Sequence, residues 1–165
     1  QPLYTEAAHL VANWTVEEGK AKWTPIGDIL RADGLGHLAT RERFQDFALE
    51  LYVRASLHSN GGILFRSEGS GAKAHYEIQL HDVEGAVYPT GSLYGLKRAR
   101  YPHIPPESWY LFQLFVKDRR VVVRVNGETV TEYDNLDRTE AGHILLQAHQ
   151  QNRWIEYKDI RVRKI

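Results

Sequence analysis

The segment His75-Tyr76-Glu77-Ile78-Gln79-Leu80-His81-Asp82 alternates chemistry with a period of two. Successive side chains on a strand point to opposite faces. Glu77, Gln79 and His81 therefore share one face, and Tyr76, Ile78 and Leu80 the other. The second set can pack in a core. The first lines up a carboxylate, an amide and an imidazole, a row that suits holding a ligand better than plain solvation. Gly142-His143-Ile144-Leu145-Leu146-Gln147-Ala148-His149 repeats the pattern, with His143, Leu145, Gln147 and His149 on one face. Gln147 and His149 become partners of Glu77 and Gln79 if the two strands are neighbours. Arg66 closes a third segment, Asn60-Gly61-Gly62-Ile63-Leu64-Phe65-Arg66. Its rigid fork of donors fits a carboxylate or an oxygen that gains charge. Glu77, His81 and His149 could together hold a divalent cation if the fold gathers them, although no His-Glu-x-x-His pattern is present.

These residues need strands to position them, and short alternating stretches recur along the chain from Phe44 onward. Phe47, Leu49, Leu51 and Val53 fall on one face of the stretch 44–54. Ile63 and Phe65 oppose Leu64 and Arg66. The stretch 109–117 is apolar on nearly both faces, as a central strand of a two-layer sandwich would be. Arg120–Val125 and Glu128–Tyr133 flank Asn126-Gly127, a pair that tolerates the positive φ of a type I′ hairpin turn. The stretches 142–149 and 154–162 read as two further strands, joined to the hairpin through the polar stretch 135–140. The stretch 94–108 is basic and rich in proline, hence a long loop. No helical period is sustained anywhere. The expectation is one all-β domain over residues 1–165, a sandwich or jelly roll of two antiparallel sheets.

Composition narrows the function. Lys+Arg and Asp+Glu both number 21, so the chain lacks the basic surface a nucleic-acid binder needs. There is no cysteine, which excludes disulfides and thiolate metal sites. No apolar run reaches the length of a membrane-spanning helix. The chain begins at Gln1 and contains no Met, as expected of a processed product whose signal peptide would lie upstream. Oligomeric state is not encoded in any of these features.

The ordered series Trp23, Gly27-Asp28, Asn60-Gly61-Gly62-Ile63-Leu64-Phe65-Arg66, Tyr76-Glu77-Ile78-Gln79, Thr90-Gly91-Ser92-Leu93-Tyr94-Gly95, Trp109, Val125-Asn126-Gly127 and Gly142–His149 resembles the 3-keto-disaccharide hydrolase domain family. That resemblance implies a concanavalin A-like lectin/glucanase jelly roll with a carbohydrate groove on its concave sheet, in a bacterial, exported protein. It also implies that Arg66, Glu77, Gln79, Gln147 and His149 form the polar set of that sheet. Tyr94 would line the rim, with His81 just beyond the matched part. Glucanases of this fold carry Glu-x-Asp-x-x-Glu on one strand. Here Gln79 stands where the second acid is needed, and an amide is neither acid nor nucleophile. A 3-keto sugar offers another route: its ketone acidifies the C2 hydrogen, so one base and one electrophile suffice. Glu77 or His149 would be the base, and Arg66 or a divalent cation would hold the oxyanion. The rival expectation is a non-catalytic carbohydrate-binding module, with Trp14, Trp23, Tyr88 or Trp109 as stacking platforms. A third is an interaction domain of a larger protein.

Overall fold

A computed structural model describes residues 1–69 and 74–165, the side chain of Glu18 excepted. The strands are β1 (Pro2–Tyr4), β2 (Trp14–Gly19), β3 (Lys22–Ile26), β4 (Ile29–Thr40), β5 (Phe47–Ala55), β6 (Gly61–Ser67), β7 (Tyr76–Leu80), β8 (Tyr110–Lys117), β9 (Arg120–Val125), β10 (Glu128–Tyr133) and β11 (His143–Lys164). One helix, α1 (Ala8–Asn13), precedes β2. All pairings between these strands are antiparallel. The fold is the all-β jelly roll that the alternating pattern predicts. No helix among the described residues is long and apolar enough to cross a membrane.

Two long strands carry both layers. The first half of β11 pairs with β6 and with the second half of β4, and β7 and β2 complete that sheet. After a break in register between Gln150 and Ile155, the second half of β11 pairs with β5 and with the first half of β4. β8, β9 and β10 extend this second sheet on one side and β3 on the other. The stretches 142–149 and 154–162 are thus one continuous strand rather than two. The polar residues between them, Gln150 to Arg153, bend the strand without ending it.

The core lies between the layers. Phe47, Leu49, Leu51 and Val53 of β5, and Tyr110, Phe112, Leu114 and Val116 of β8, are all at most 1% exposed. They meet Ile63 and Phe65 of β6, Ile78 of β7, and Ile144 and Leu146 of β11. Leu111, Gln113 and Phe115 are only half-buried, so β8 has one wet face where the sequence suggested two dry ones. Asn126 and Gly127 take φ values of 50° and 80°, as the I′ turn demands. The basic stretch 94–108 is a loop, and the segment leading into it closes the free edge of β7: Leu93 bridges to Ile78, and the Tyr94 amide donates to Glu77 O at 2.9 Å.

Candidate functional site

Register decides which side chains meet on the face of the first sheet turned away from the core. Gln79 lies opposite Gly62, Gly62 opposite Gln147, and Gln147 opposite His37. One residue-pair along, Glu77 lies opposite Leu64, Leu64 opposite Leu145, and Leu145 opposite Ala39. Directly opposed residues share a face and stand within contact range. This face therefore carries one polar row beside one row that is apolar except for Glu77.

Glu77 is placed by three features. β7 fixes its direction. Gly62 leaves room for it: a Cβ there would lie 2.9 Å from Glu77 Oε1 and 3.0 Å from its Cδ. Gln79, with its amide nitrogen oriented by the hydrogen-bond network, donates to Glu77 Oε1 at 3.0 Å and to Gly61 O at 3.3 Å. Burial raises the Glu77 carboxyl to about 7. The group opens onto a chamber of about 450 Å³ shared with His75, Tyr94, Tyr133, Asp137 and Arg138. Tyr94 is 56% exposed and packs against Tyr88, with ring centroids 5.1 Å apart. Asp137 accepts a hydrogen bond from the Tyr76 hydroxyl, which holds its carboxyl below the usual range. A second chamber of about 270 Å³ lies on the same face, bounded by Leu35, His37, Leu64 and Gln147, and His75 borders both. Gln147 Nε2 is 3.3 Å from His37 Nε2.

The structure thus brings Glu77, Gln79 and Tyr94 together, with Gln147 across Gly62. It does not bring Arg66 to them. β6 carries one extra residue against β11 between Leu64 and Ser67, and Arg66 occupies that bulge with φ 45°. The bulge takes Arg66 out of the alternation. Its guanidinium is fully buried and donates to Gln45 O (3.0 Å), Arg138 O (2.8 Å) and Asp46 Oδ1 (3.0 Å). Gly142 makes the bulge possible, since a Cβ there would lie 2.3 Å from the Arg66 carbonyl carbon.

His149 is exposed and borders a different hollow, with Lys20, Lys22 and Leu35. It stands two strands across and four residues along from Glu77, about 16 Å by ordinary strand spacing. His81 follows β7, with Nδ1 3.0 Å from Ser59 O, and its amide donates to Thr90 Oγ1 at 2.7 Å. The three residues proposed for a cation do not converge, and no group of three or more His, Asp or Glu among the described residues is placed to hold one.

The aromatic platforms fare unevenly. Trp14 is buried, its Nε1 donating to Leu3 O at 2.9 Å. Trp23 packs against the core. Trp109 immediately precedes β8 of the second sheet, with Lys158 Nζ 4.3 Å and the Arg54 guanidinium 4.9 Å from its ring centroid. Tyr88 reaches the Glu77 chamber through its contact with Tyr94. Sequence reasoning missed His75, Tyr133, Asp137 and Arg138. His75 has the same parity as Glu77, a signal open to reading. Asp137 and Arg138 come from the polar link before β11, where no periodicity points to a site.

Comparison with known proteins agrees with this architecture. Residues 5–163 match the family described as 3-keto-alpha-glucoside-1,2-lyase-like domain. No curated protein matches the chain. Among solved structures, a protein named "Putative glycosyl hydrolase" from Parabacteroides distasonis ATCC 8503 superposes with a TM-score of 0.80 at 20% identity, covering 92% of this chain and 99% of that one. Carbohydrate-binding module CBM66 from Bacillus subtilis gives 0.66 at 16% identity, covering 92% and 96%. The Bacillus licheniformis beta-glucanase gives 0.65 at 10% identity, covering 93% and 92%. At these identities the likenesses speak for the fold.

Proposed function

The chain belongs to the 3-keto-alpha-glucoside-1,2-lyase-like domain family, and from that footing we infer that it cleaves 3-keto glycosides by elimination, with Glu77 as the base. The observation that carries this reading is the half-buried carboxylate of Glu77, raised to about 7 and opening onto a polar chamber. A base is most useful when its pKa lies near the working pH. Carboxylate-pair chemistry fits less well. Gln79 is the polar neighbour of Glu77 on its strand, and Asp137 stays ionised on the Tyr76 hydroxyl, so neither offers a proton to a leaving group.

The reaction runs in two steps. The Glu77 carboxylate takes the proton from C2, and the C–H electrons pass into the C3 carbonyl to form an enolate. The carbonyl then re-forms, a C1–C2 double bond forms, and the C1–O bond breaks. The departing oxygen gains one proton, balancing the one lost from C2. Water added later across the double bond completes hydrolysis. Arg138, which lines the chamber, takes the part of oxyanion partner for which Arg66 is not positioned. Tyr94, Tyr133 and Asn135 supply hydroxyl and amide groups to the sugar ring. Release of the protein to the periplasm or cell exterior accords with such a substrate, and cell fractionation checks it.

An assay of 3-keto and ordinary disaccharides, with and without chelator, tests the reading. Cleavage restricted to the keto sugars, lost by at least about a hundred-fold in Glu77→Gln, is expected. Calorimetric binding of these sugars without cleavage would instead favour a carbohydrate-binding module with Tyr88 and Tyr94 at its rim.

A further inference from the structure

Resting on the reading of Glu77 as the C2 base, we propose that the smaller chamber beside it receives the leaving group and selects one with an apolar face, such as a benzyl or aryl group, over a second sugar. Leu64 lies directly opposite Glu77 in the β6–β7 register, so the chamber begins one side chain from the base. His75 borders both chambers. C1 is bonded to C2, and a sugar held with C2 at Glu77 and its hydroxyls toward Tyr94, Tyr133 and Asn135 directs its C1 substituent past His75.

The walls of that chamber are chemically one-sided. Leu64 belongs with Ala39 and Leu145 to a small apolar cluster separate from the main core, on the outer face of the first sheet. Leu35 forms another wall and is 56% exposed, an apolar side chain left open to solvent beside a cavity. Gly19 and Gly36 close the chamber with bare backbone: a Cβ on Gly19 would come within 2.5 Å of Gly36 Cα. The polar groups facing the space are Gln147, His37 and His75, and Gln147 and His37 are in contact with each other. A hexose brings several hydroxyls, and each one desolvated without a partner carries a penalty. A ring with an apolar face avoids that penalty and covers the exposed Leu35 side chain. The larger chamber, with more hydroxyl and charged groups in its lining, is the more polar of the two. The two chambers are therefore matched to a glycone on one side and an apolar aglycone on the other.

The test compares kcat/KM for benzyl, methyl and glucosyl 3-keto-glucosides. Benzyl and methyl alkoxides leave with similar basicity, so their ratio reports recognition rather than leaving-group chemistry. The expected preference is benzyl over methyl by roughly ten- to a hundred-fold, the range for placing one apolar group in a pocket, with glucosyl no better than methyl. Leu35→Ser, at an exposed position, should lower the benzyl-to-methyl ratio several-fold, with the loss on the benzyl substrate appearing in KM. Equal rates on all three substrates, or a Leu35→Ser variant with an unaltered benzyl-to-methyl ratio, would overturn the leaving-group assignment while the elimination reading stands. Absence of turnover on every 3-keto glucoside would remove the elimination reading and this inference with it.

Discussion

Glu77 holds its proton to higher pH in the folded protein than in the unfolded chain, because burial raises it from 4.5 to about 7. Between those values the folded state binds more protons, so stability falls as pH rises through that window. The full stabilising difference is present below pH 4.5 and is gone above about 7. Glu77→Gln keeps the shape and removes the ionisation. Its stability should equal that of the parent near pH 4 and exceed it at pH 8.5 by up to about 3 kcal/mol. Denaturant melts at the two pH values check this, and equal differences at both would contradict it. In the parent, kcat/KM on a 3-keto glycoside should rise with pH to a plateau with an inflection near 7, since the carboxylate is the active form. Arg66 is the opposite kind of residue. Its three bonds hold Asp46 and two main-chain carbonyls inside the fold. Arg66→Ala should destabilise by about 3–5 kcal/mol, the usual result of leaving such partners buried and unpaired. At a temperature where the variant remains folded, its activity should fall far less than that of Glu77→Gln, since Arg66 touches the chamber only through the main chain of Arg138, and chemical denaturation followed by a rate assay separates the two effects.

At the scale of elements, β6 shows how adjacent glycines can serve different ends. Gly62 lies on the outer face beside Glu77, whose flexible side chain occupies the space of its missing Cβ. Gly61 faces inward, where a Cβ would lie 2.5 Å from Ile155 Cδ1 and 2.6 Å from Gln147 O. Gly62→Ala should displace the carboxylate and lower kcat by about ten-fold or more with little change in melting temperature. Gly61→Ala should destabilise by about 1–3 kcal/mol as backbone and core shift apart. Thermal melts and single-substrate kinetics on the pair distinguish the two roles, and a matching loss of stability in both variants would refute the contrast. From β5 onward the strands were legible in the sequence, whereas β1 to β4 were not read from it, although β4 runs through both sheets. Alternation marks β5, β7 and the first half of β11, and Asn126-Gly127 marks the β9–β10 hairpin without help from tertiary structure. The bulge in β6 was not legible, because Ile63-Leu64-Phe65-Arg66 alternates smoothly and only the close approach of Gly142 reveals the extra residue. That single residue separates the Arg66 expected beside Glu77 from the Arg66 found in the interior. His149 illustrates a second limit. Its parity matches Gln147, but position along the strand sets distance, and parity is silent on that. Glu77, Gln79 and Gln147 could be grouped from the pattern since they lie within one residue-pair of each other across neighbouring strands.

The molecule as a whole hangs on β11, which pairs with β6 in one sheet and β5 in the other while β4 follows it through both. Each layer contributes one face to the shared core, and neither can open without breaking pairs made by the same two strands. The outer face of the second sheet adds a brace across this junction. Glu156, 4% exposed, accepts from Arg54 Nε at 3.0 Å and lies 3.8 Å from Arg31 Nη1. The two guanidiniums stack over Trp154, 4.6 and 5.6 Å from its centroid. Just inside this brace, Ile155 marks the point where the strand resumes regular pairing, opposite both Ala32 and Ala55, with its Cδ1 reaching toward Gly61 of the first sheet. A side chain shared in this way couples the layers. Ile155→Ala should cost about 2–4 kcal/mol, as a fully buried Ile truncated to Ala does. The loss should appear in both sheets at once. Amide exchange in β6 and β7 and amide exchange in β5 and β8 should accelerate by similar factors, and the far-UV and aromatic transitions should remain superimposed. If the first sheet exchanged faster while the second kept its protection, the layers would be separate cooperative units. The Glu77 chamber would then rest on a subdomain able to loosen alone.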